Sequence, residues 1–257
     1  MKLSVVMPAR NEEGCIADTV SQFAGALKAE SVPFEIVVVD DGSTDGTARC
    51  VLQVAALEPE VRLVRNTGRH GFGMAVRKGL ESMSGDAVAV VMADASDSPC
   101  DLLQYYRKIL EGYDCVFGSR FMPGGRVVDY PSHKLIINRM ANWFIKILFR
   151  LPYNDVTNAF KCYRREVVQG MAPLISPHFN LTVEMPLKAA IRGYSFTVVP
   201  ITWTNRQTGV SKLKLKEMGS RYLFIVLYLW LEKHLARGDY HRAQHATPNE
   251  GVPATHA

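Results

Sequence analysis

Short apolar, β-branched runs recur through the first half of the chain, at residues 3–7, 35–39, 61–64, 87–92 and 115–117. Longer stretches follow them in which apolar positions return every three or four residues. Continuous apolar runs suit strands buried on both faces, and the longer spacing suits amphipathic helices, placed at 13–29, 45–57, 72–83 and 99–111. Thr44 or Asp45 is positioned to cap the second helix, and Ser98 followed by Pro99 opens the fourth. Strands alternating with helices predict an α/β fold: a mostly parallel central sheet flanked by helices. The alternation stops near Gly118. A Gly/Pro loop at 122–131, helices at 134–149 and 182–192, a strand at 196–201 and a basic loop come next. A last helix carries a run that is apolar on every face, YLFIVLYLWL at 222–231, and from 238 the polar tail with Pro248 and Pro253 is expected to be disordered.

Composition changes this picture little. The chain has 257 residues, 47% hydrophobic and 21% charged, which suits one large domain with a sizeable core. The expected division is a single domain over 1–235, made of a first half (1–117), a second half (118–216) and the apolar C-terminal helix (217–235). A net charge of +5 admits anionic partners such as phosphates or a membrane surface and does not call for nucleic acid. The five cysteines (Cys15, Cys50, Cys100, Cys115, Cys162) form no CxxC pair, so neither a disulfide framework nor a zinc site is expected, and a cytoplasmic setting is. No signal peptide is visible, and no apolar run approaches the roughly 18–20 residues that span a bilayer. Basic residues (Lys212, Lys214, Lys216, Arg221, Lys233, Arg237) flank the 222–231 run. A buried core helix, a peripheral contact with the cytoplasmic face of a membrane, a membrane partner protein and a homodimer contact are all open for it.

Ligands of open α/β sheets bind at the carboxyl ends of the strands, and the loops there are acidic. The first strand runs into Pro8-Ala9-Arg10-Asn11-Glu12-Glu13. A turn without glycine and with two carboxylates would repel a pyrophosphate, which argues against a dinucleotide-binding oxidoreductase; the P-loop pattern is also absent. The second strand ends in Asp40-Asp41-Gly42-Ser43-Thr44-Asp45, where carboxylates suit the hydroxyl and N–H donors of a ribose or base. The fourth ends in Met92-Ala93-Asp94-Ala95-Ser96-Asp97. Two carboxylates in one tip repel each other unless a hard cation such as Mg²⁺ or Mn²⁺ sits between them. Asp97 as a plain helix cap is the competing reading. Gly68-Arg69-His70-Gly71-Phe72-Gly73 reads as a tight turn opening a helix.

Taken in order, PARNEE, VVDDGSTDGT, NTGRHGFGMAVRKG and the acidic fourth loop resemble family 2 glycosyltransferases of the GT-A fold. The branch resembled is that of the dolichyl- or polyprenyl-phosphate mannosyl- and glucosyltransferases. The likeness continues through Gly118-Ser119-Arg120-Phe121, Gly124-Gly125, Lys134, Asn138-Arg139, the 155–165 segment and Arg206-x-x-Gly209-x-Ser211-Lys212, so that about residues 3–235 are covered. It implies that Pro8, Arg10, Glu12, Asp40, Asp41, Ala93 and Asp94 hold the nucleotide sugar, and that Arg120, Lys134, Arg206 and Lys212 hold donor pyrophosphate and acceptor phosphate. One departure matters. The family's metal motif, Asp-x-Asp, falls on Ala93 and Ala95, so either Asp94 and Asp97 are the metal ligands, the preferred expectation, or the metal dependence differs.

The resemblance thus implies an inverting hexosyltransferase that uses a nucleoside-diphosphate sugar and a polyprenyl phosphate, with catalytic roles for Asp94, Asp97, Arg120, Lys134, Asp155, Arg206 and Lys212. Two alternatives stand beside it. One is a family 2 enzyme acting on a sugar hydroxyl in polysaccharide synthesis, which needs a general base such as Asp155 or Glu184. The other is a non-catalytic nucleotide-sugar-binding protein, to which the shifted Asp motif lends weight.

Overall fold

A computed structural model describes residues 1–205 and 215–242. The first half is built as the hydrophobic pattern predicts: β1 (Leu3–Ala9), α1 (Ile16–Ala29), β2 (Phe34–Asp40), α2 (Thr47–Leu57), β3 (Val61–Arg65), α3 (Phe72–Ser82), β4 (Ala87–Val90), α4 (Pro99–Leu110) and β5 (Cys115–Ser119). After it come β6 (Arg126–Val128), α5 (Ser132–Phe149), β7 (Lys161–Arg164), α6 (Arg165–Gly170), α7 (Leu181–Ile191), β8 (Phe196–Pro200), β9 (Thr202–Thr204) and α8 (Leu215–Leu235). The strands β6, β7 and β9 and the short α6 are not signalled by apolar runs. Among them only β7 joins the main sheet.

That sheet has seven strands in the order β3-β2-β1-β4-β7-β5-β8. All pairings are parallel except those of β7, which runs antiparallel between β4 and β5. The second half of the sequence therefore supplies two strands to the first half's sheet, so the two halves share one sheet. β1 and β2 are buried at every position, because helices cover both faces of the sheet. Leu3, Val5 and Met7 pack with Phe23, Leu27, Val51, Leu102 and Tyr105, under α1, α2 and α4. Val6, Val37 and Val39 point the other way, into a cluster with Val76, Phe149, Val183, Leu187 and Leu229, under α3, α5, α7 and α8.

The helix expected to be apolar all round is buried on one side alone. Ile225, Val226 and Leu229 of α8 are sealed in the core, whereas Leu223, Phe224, Leu227 and Leu231 are exposed. α5 presents a similar face, with Ile136, Met140, Trp143 and Ile147 in solvent. The two helices are neighbours: Lys233 of α8 donates to the Phe149 carbonyl at the end of α5 (2.8 Å). Beyond α8 the chain turns back instead of leaving the body at 238. Arg242 donates to Asp114 (2.8 Å) through its side chain and to the Arg192 carbonyl (2.8 Å) through its backbone N–H. The remainder of the tail lies outside the described residues.

Candidate active site

Because β1, β2, β4, β5 and β8 are parallel, their carboxyl ends share one edge of the sheet, and the loops leaving it carry the residues singled out from the sequence. Pro8 and Ala9 are buried at the end of β1, Arg10 is exposed, and Asn11 turns the chain with φ 53°. This first loop is stitched to the second. The Asn11 N–H donates to the Ser43 hydroxyl (3.0 Å), the Thr44 N–H to the Asn11 side chain (2.8 Å) and the Gly46 N–H to the Glu13 carboxylate (2.8 Å). Asp45 accepts from the Thr47 N–H (3.0 Å), but the N-cap of α2 is Gly46, so neither Thr44 nor Asp45 takes the capping position expected for it. The Glu13 N–H also donates to Asp45 (3.2 Å) and the Glu12 N–H to the Thr47 hydroxyl (2.8 Å), so Glu12, Glu13 and Asp45 hold the two loops in register.

Asp40 and Asp41 divide their work. Asp40 accepts one bond, from the Ser43 N–H (2.9 Å), which closes an Asx turn. Asp41 is engaged on both oxygens, by the Asn66 amide (2.6 Å), the Gly71 N–H (2.8 Å) and the His70 ring (3.2 Å). Its structural effect is to hold the 66–71 turn. That turn opens α3, and it lies against the 176–178 segment: a Cβ on Gly71, whose φ is 146°, would sit 2.5 Å from the Pro177 carbonyl oxygen. Glycine is required there by both conformation and space.

The loop after β4 brings its carboxylates inward. Asp97 accepts from the Met92 N–H (2.9 Å) and is 6% exposed, so it is not the plain helix cap that competed with a metal role. Burial, with the charge of Asp94 adding to it, raises the Asp97 pKa to about 7. Asp94 accepts from the Ser96 N–H (3.2 Å), and Ala95 takes a left-handed conformation (φ 59°) to make that turn. The Ser96 hydroxyl is buried with no partner in the protein. Ala93 is pinned from behind, its carbonyl accepting from the Thr19 hydroxyl (3.3 Å) and the Cys15 thiol (3.4 Å).

Across the edge, β5 delivers Arg120. Asp155, fully buried, grips it three times: from the backbone N–H (2.9 Å), Nε (2.8 Å) and the terminal guanidinium nitrogen (2.7 Å). Burial works against the guanidinium charge, yet the Asp155 carboxylate outweighs it and the Arg120 pKa is raised. The guanidinium lies 5.1 Å from the centre of the Phe121 ring and 5.9 Å from that of Trp203, and Arg139 lies over Phe121 at 4.7 Å. Gly125 lets its loop close over this group, since a Cβ there would be 2.5 Å from the Ser119 carbonyl oxygen. Lys134 is half-buried on the first turn of α5, one helical turn before Asn138. The Asn138 amide donates to the Thr157 hydroxyl (3.0 Å), as does that of Asn142 (2.9 Å), which fastens α5 to the loop that holds Asp155.

Neither carboxylate considered as a general base is placed to accept a proton from a substrate. Asp155 is consumed by Arg120. Glu184 is buried on α7, where it accepts from the N–H groups of Ile175 (2.8 Å) and Ser176 (2.7 Å) and pairs with Lys188 (2.8 Å). Lys161, at the start of β7, is a further buried cation at this edge; burial pulls its pKa down to about 7 against the opposing pull of Asp155. A lysine inside the apolar Ala159–Phe160 context was the sequence signal for it. Arg206 and Lys212 lie outside the described residues.

A family model described as glycosyl transferase family 2 matches residues 4–171. Polyprenol monophosphomannose synthase of Mycolicibacterium smegmatis is 31% identical over 215 residues, covering 81% of this chain and 80% of that protein. Dolichol-phosphate mannosyltransferase of Pyrococcus furiosus is 33% identical over 222 residues, covering 84% of this chain and 60% of that longer protein. Among solved structures, glucosyl-3-phosphoglycerate synthase from Mycobacterium tuberculosis, in complex with Mn²⁺, UDP-glucose and phosphoglyceric acid, matches with a TM-score of 0.68 at 20% identity over 90% of this chain and 79% of that one. The same enzyme with Mg²⁺ and UDP matches at a TM-score of 0.67 and 20% identity, again over 90% and 79%. At such identity the likeness concerns the fold, which is of the GT-A type.

Proposed function

We propose that this chain, which belongs to glycosyl transferase family 2 and is a glycosyltransferase, moves a hexose of the mannose or glucose type from a nucleoside-diphosphate sugar to a polyprenyl phosphate. The observation that carries the reading is the division of charge along one sheet edge. Carboxylates from the loops after β1, β2 and β4 line one side, and the buried Arg120 with Arg139 beside it lies on the other. The first side suits ribose and base hydroxyl and N–H groups; the second suits phosphate oxygens. One relative is named for polyprenol monophosphomannose and the other for dolichol phosphate.

The reaction is an inverting displacement. An oxygen of the acceptor phosphate forms a bond to the anomeric carbon as the bond to the nucleoside diphosphate breaks. A phosphate monoester is already a nucleophile at neutral pH, so it needs orientation and no base, which agrees with the engagement of Asp155 and Glu184. Arg120, Lys134 and Arg139 orient the acceptor. Arg206 and Lys212 neutralise the departing pyrophosphate, a role that rests on the motif alone. Pro8, Arg10, Glu12, Asp40 and Asp41 hold the nucleoside, Asp41 by fixing the turn that ends in Gly71.

A divalent metal fits the loop after β4. Asp94 and Asp97 supply carboxylate oxygens, with the partnerless Ser96 hydroxyl on the same turn. Among the described residues, no group of three or more His, Cys, Asp or Glu could hold an ion. Mg²⁺ is commonly bound by one or two carboxylates together with substrate phosphates, so this set suits an ion completed by the donor. When bound, Mg²⁺ or Mn²⁺ supplies positive charge against the leaving pyrophosphate.

No helix among the described residues is long and apolar enough to cross a membrane. The exposed apolar faces of α5 and α8, with Lys146, Arg150, Lys233 and Arg237 near their ends, suit peripheral attachment to the cytoplasmic face of a bilayer that carries the acceptor. Trp143→Asp, with an expected loss of about tenfold in partitioning to anionic phospholipid vesicles, checks this by sedimentation; unchanged partitioning removes α5 from the contact.

The function itself is tested with Lys134→Ala. Lipid-linked product formed from a labelled nucleoside-diphosphate hexose and polyprenyl phosphate should fall about tenfold or more, with donor binding unchanged. Equal transfer by the variant, or transfer by the wild type to oligosaccharide and not to polyprenyl phosphate, overturns the reading.

A further inference from the structure

α7 is a helix whose side chains are buried from Leu181 to Ala189, polar ones included. Two charged groups at this helix reach opposite sides of the candidate site. The Lys161 ammonium, 1% exposed, donates to the Val156 carbonyl (3.0 Å) and to the Thr182 carbonyl in the first turn of α7 (3.2 Å). Val156 directly follows Asp155, the residue that grips Arg120. Glu184, fully buried, receives the backbone N–H groups of Ile175 and Ser176, and Lys188 joins it to the Pro173 carbonyl. The segment that Glu184 holds continues into Pro177, whose carbonyl accepts from the Met74 N–H (3.2 Å) and lies against Gly71, where Asp41 is anchored.

Burying an ammonium and a carboxylate is costly, and apolar side chains of similar volume would fill the same space at lower cost. What charged side chains provide instead is direction, since each ties named backbone groups to α7. We infer that Lys161 and Glu184 are positioning residues: Lys161 sets the Arg120–Asp155 cradle for the acceptor phosphate, and Glu184 sets the 66–74 turn of the donor side. α7 is the common frame from which the two halves of the site are hung. This inference rests on the acceptor reading proposed above for its Lys161 half only; its Glu184 half needs nothing beyond nucleotide binding.

The test is a crossed comparison in the full-length protein of Lys161→Met and Glu184→Gln, with Lys161→Arg as the cation-retaining control. Three quantities are read: KM for polyprenyl phosphate, Kd for a nucleoside diphosphate with Mg²⁺, and Tm. Lys161→Met should raise the acceptor KM about tenfold and leave the nucleotide Kd within about twofold; Lys161→Arg should recover most of that loss. Glu184→Gln should weaken nucleotide binding about tenfold with a smaller change in acceptor KM. If Lys161→Met does not fold, Lys161→Gln, which keeps a neutral donor, is held to the same criterion. Equal shifts in both affinities from either variant, or a lower Tm with both affinities intact, overturn the inference. Absence of lipid-linked product from the wild-type protein overturns the acceptor reading and the Lys161 half with it, while the Glu184 half is still decided by nucleotide binding.

Discussion

Arg120→Lys is expected to lower transfer to polyprenyl phosphate by about a hundredfold, with nucleoside diphosphate affinity changed by no more than about threefold. The reason is geometric. Asp155 takes Nε and one terminal nitrogen of the guanidinium, which fixes its plane beside the Phe121 and Trp203 rings, and the Tyr130 side chain hydrogen-bonds the same group. A lysine keeps the charge that Asp155 needs but cannot grip a carboxylate and an anion at once in one plane. Arg120→Ala is a different experiment. It leaves a fully buried carboxylate without its partner and should cost roughly 3–5 kcal/mol of stability. Urea denaturation beside a transfer assay separates the two: Lys at 120 should fold nearly as well as the parent and fail in transfer. Wild-type transfer by Arg120→Lys would remove Arg120 from the acceptor site.

Asp97→Asn should have opposite effects on activity and on stability. Transfer is expected to fall about a hundredfold to a thousandfold, whereas the ligand-free protein should gain roughly 1–3 kcal/mol at pH 8. Burial, reinforced by Asp94, raises the folded-state pKa of Asp97 to about 7 from an ordinary value of 3.8. A carboxyl raised in this way binds its proton more tightly in the folded state than in the unfolded one. The wild-type protein therefore loses stability as pH rises from about 4 to about 7 and stays at the lower level above that. Asparagine keeps an oxygen for the Met92 N–H and never ionises, so this descent should flatten. Thermal unfolding between pH 4 and 8, without and with Mg²⁺ and a nucleoside diphosphate, measures it. A variant as pH-dependent as the parent would show that Asp97 is not the group responsible.

Much of the first half could be read from the hydrophobic pattern, because strands buried on both faces leave continuous apolar runs and their loops inherit the chemistry of the strand tips. β7 escaped for the opposite reason. It is four residues long, begins with a lysine and ends with an arginine, so nothing in its pattern distinguishes it from a loop. The acidic loops were legible as a candidate site, but the labour inside them was not. Glu13 and Asp45 look equivalent to Asp40 in the sequence, and only the fold reveals that they tie two loops together. In the sequence Asp155 and Glu184 stand as the general bases that a hydroxyl acceptor would need. The partner that consumes Asp155 lies 35 residues away, outside any local window, whereas those of Glu184 are 4, 8 and 9 residues off and go unread because two of them are backbone N–H groups, which carry no sequence signal. The one-sided burial of α8 likewise follows from its neighbours and not from its own composition.

The antiparallel strand has a consequence for how the molecule is assembled. β4 and β5 are consecutive along the main alternation of strands and helices, yet they do not touch; β7 separates them. A nascent chain that ended after Ser119 would leave the free edge of β4 and both edges of β5 without partners. Closure of the sheet must await Arg164, and the segment that β7 brings with it is the one carrying Asp155 and Lys161. The half proposed to hold the nucleotide and the half that holds Arg120 are therefore completed in a single late pairing. A fragment made of the first 117 residues should expose an unpaired strand edge and aggregate, where a modular reading of the chain would expect a small folded nucleotide-binding unit.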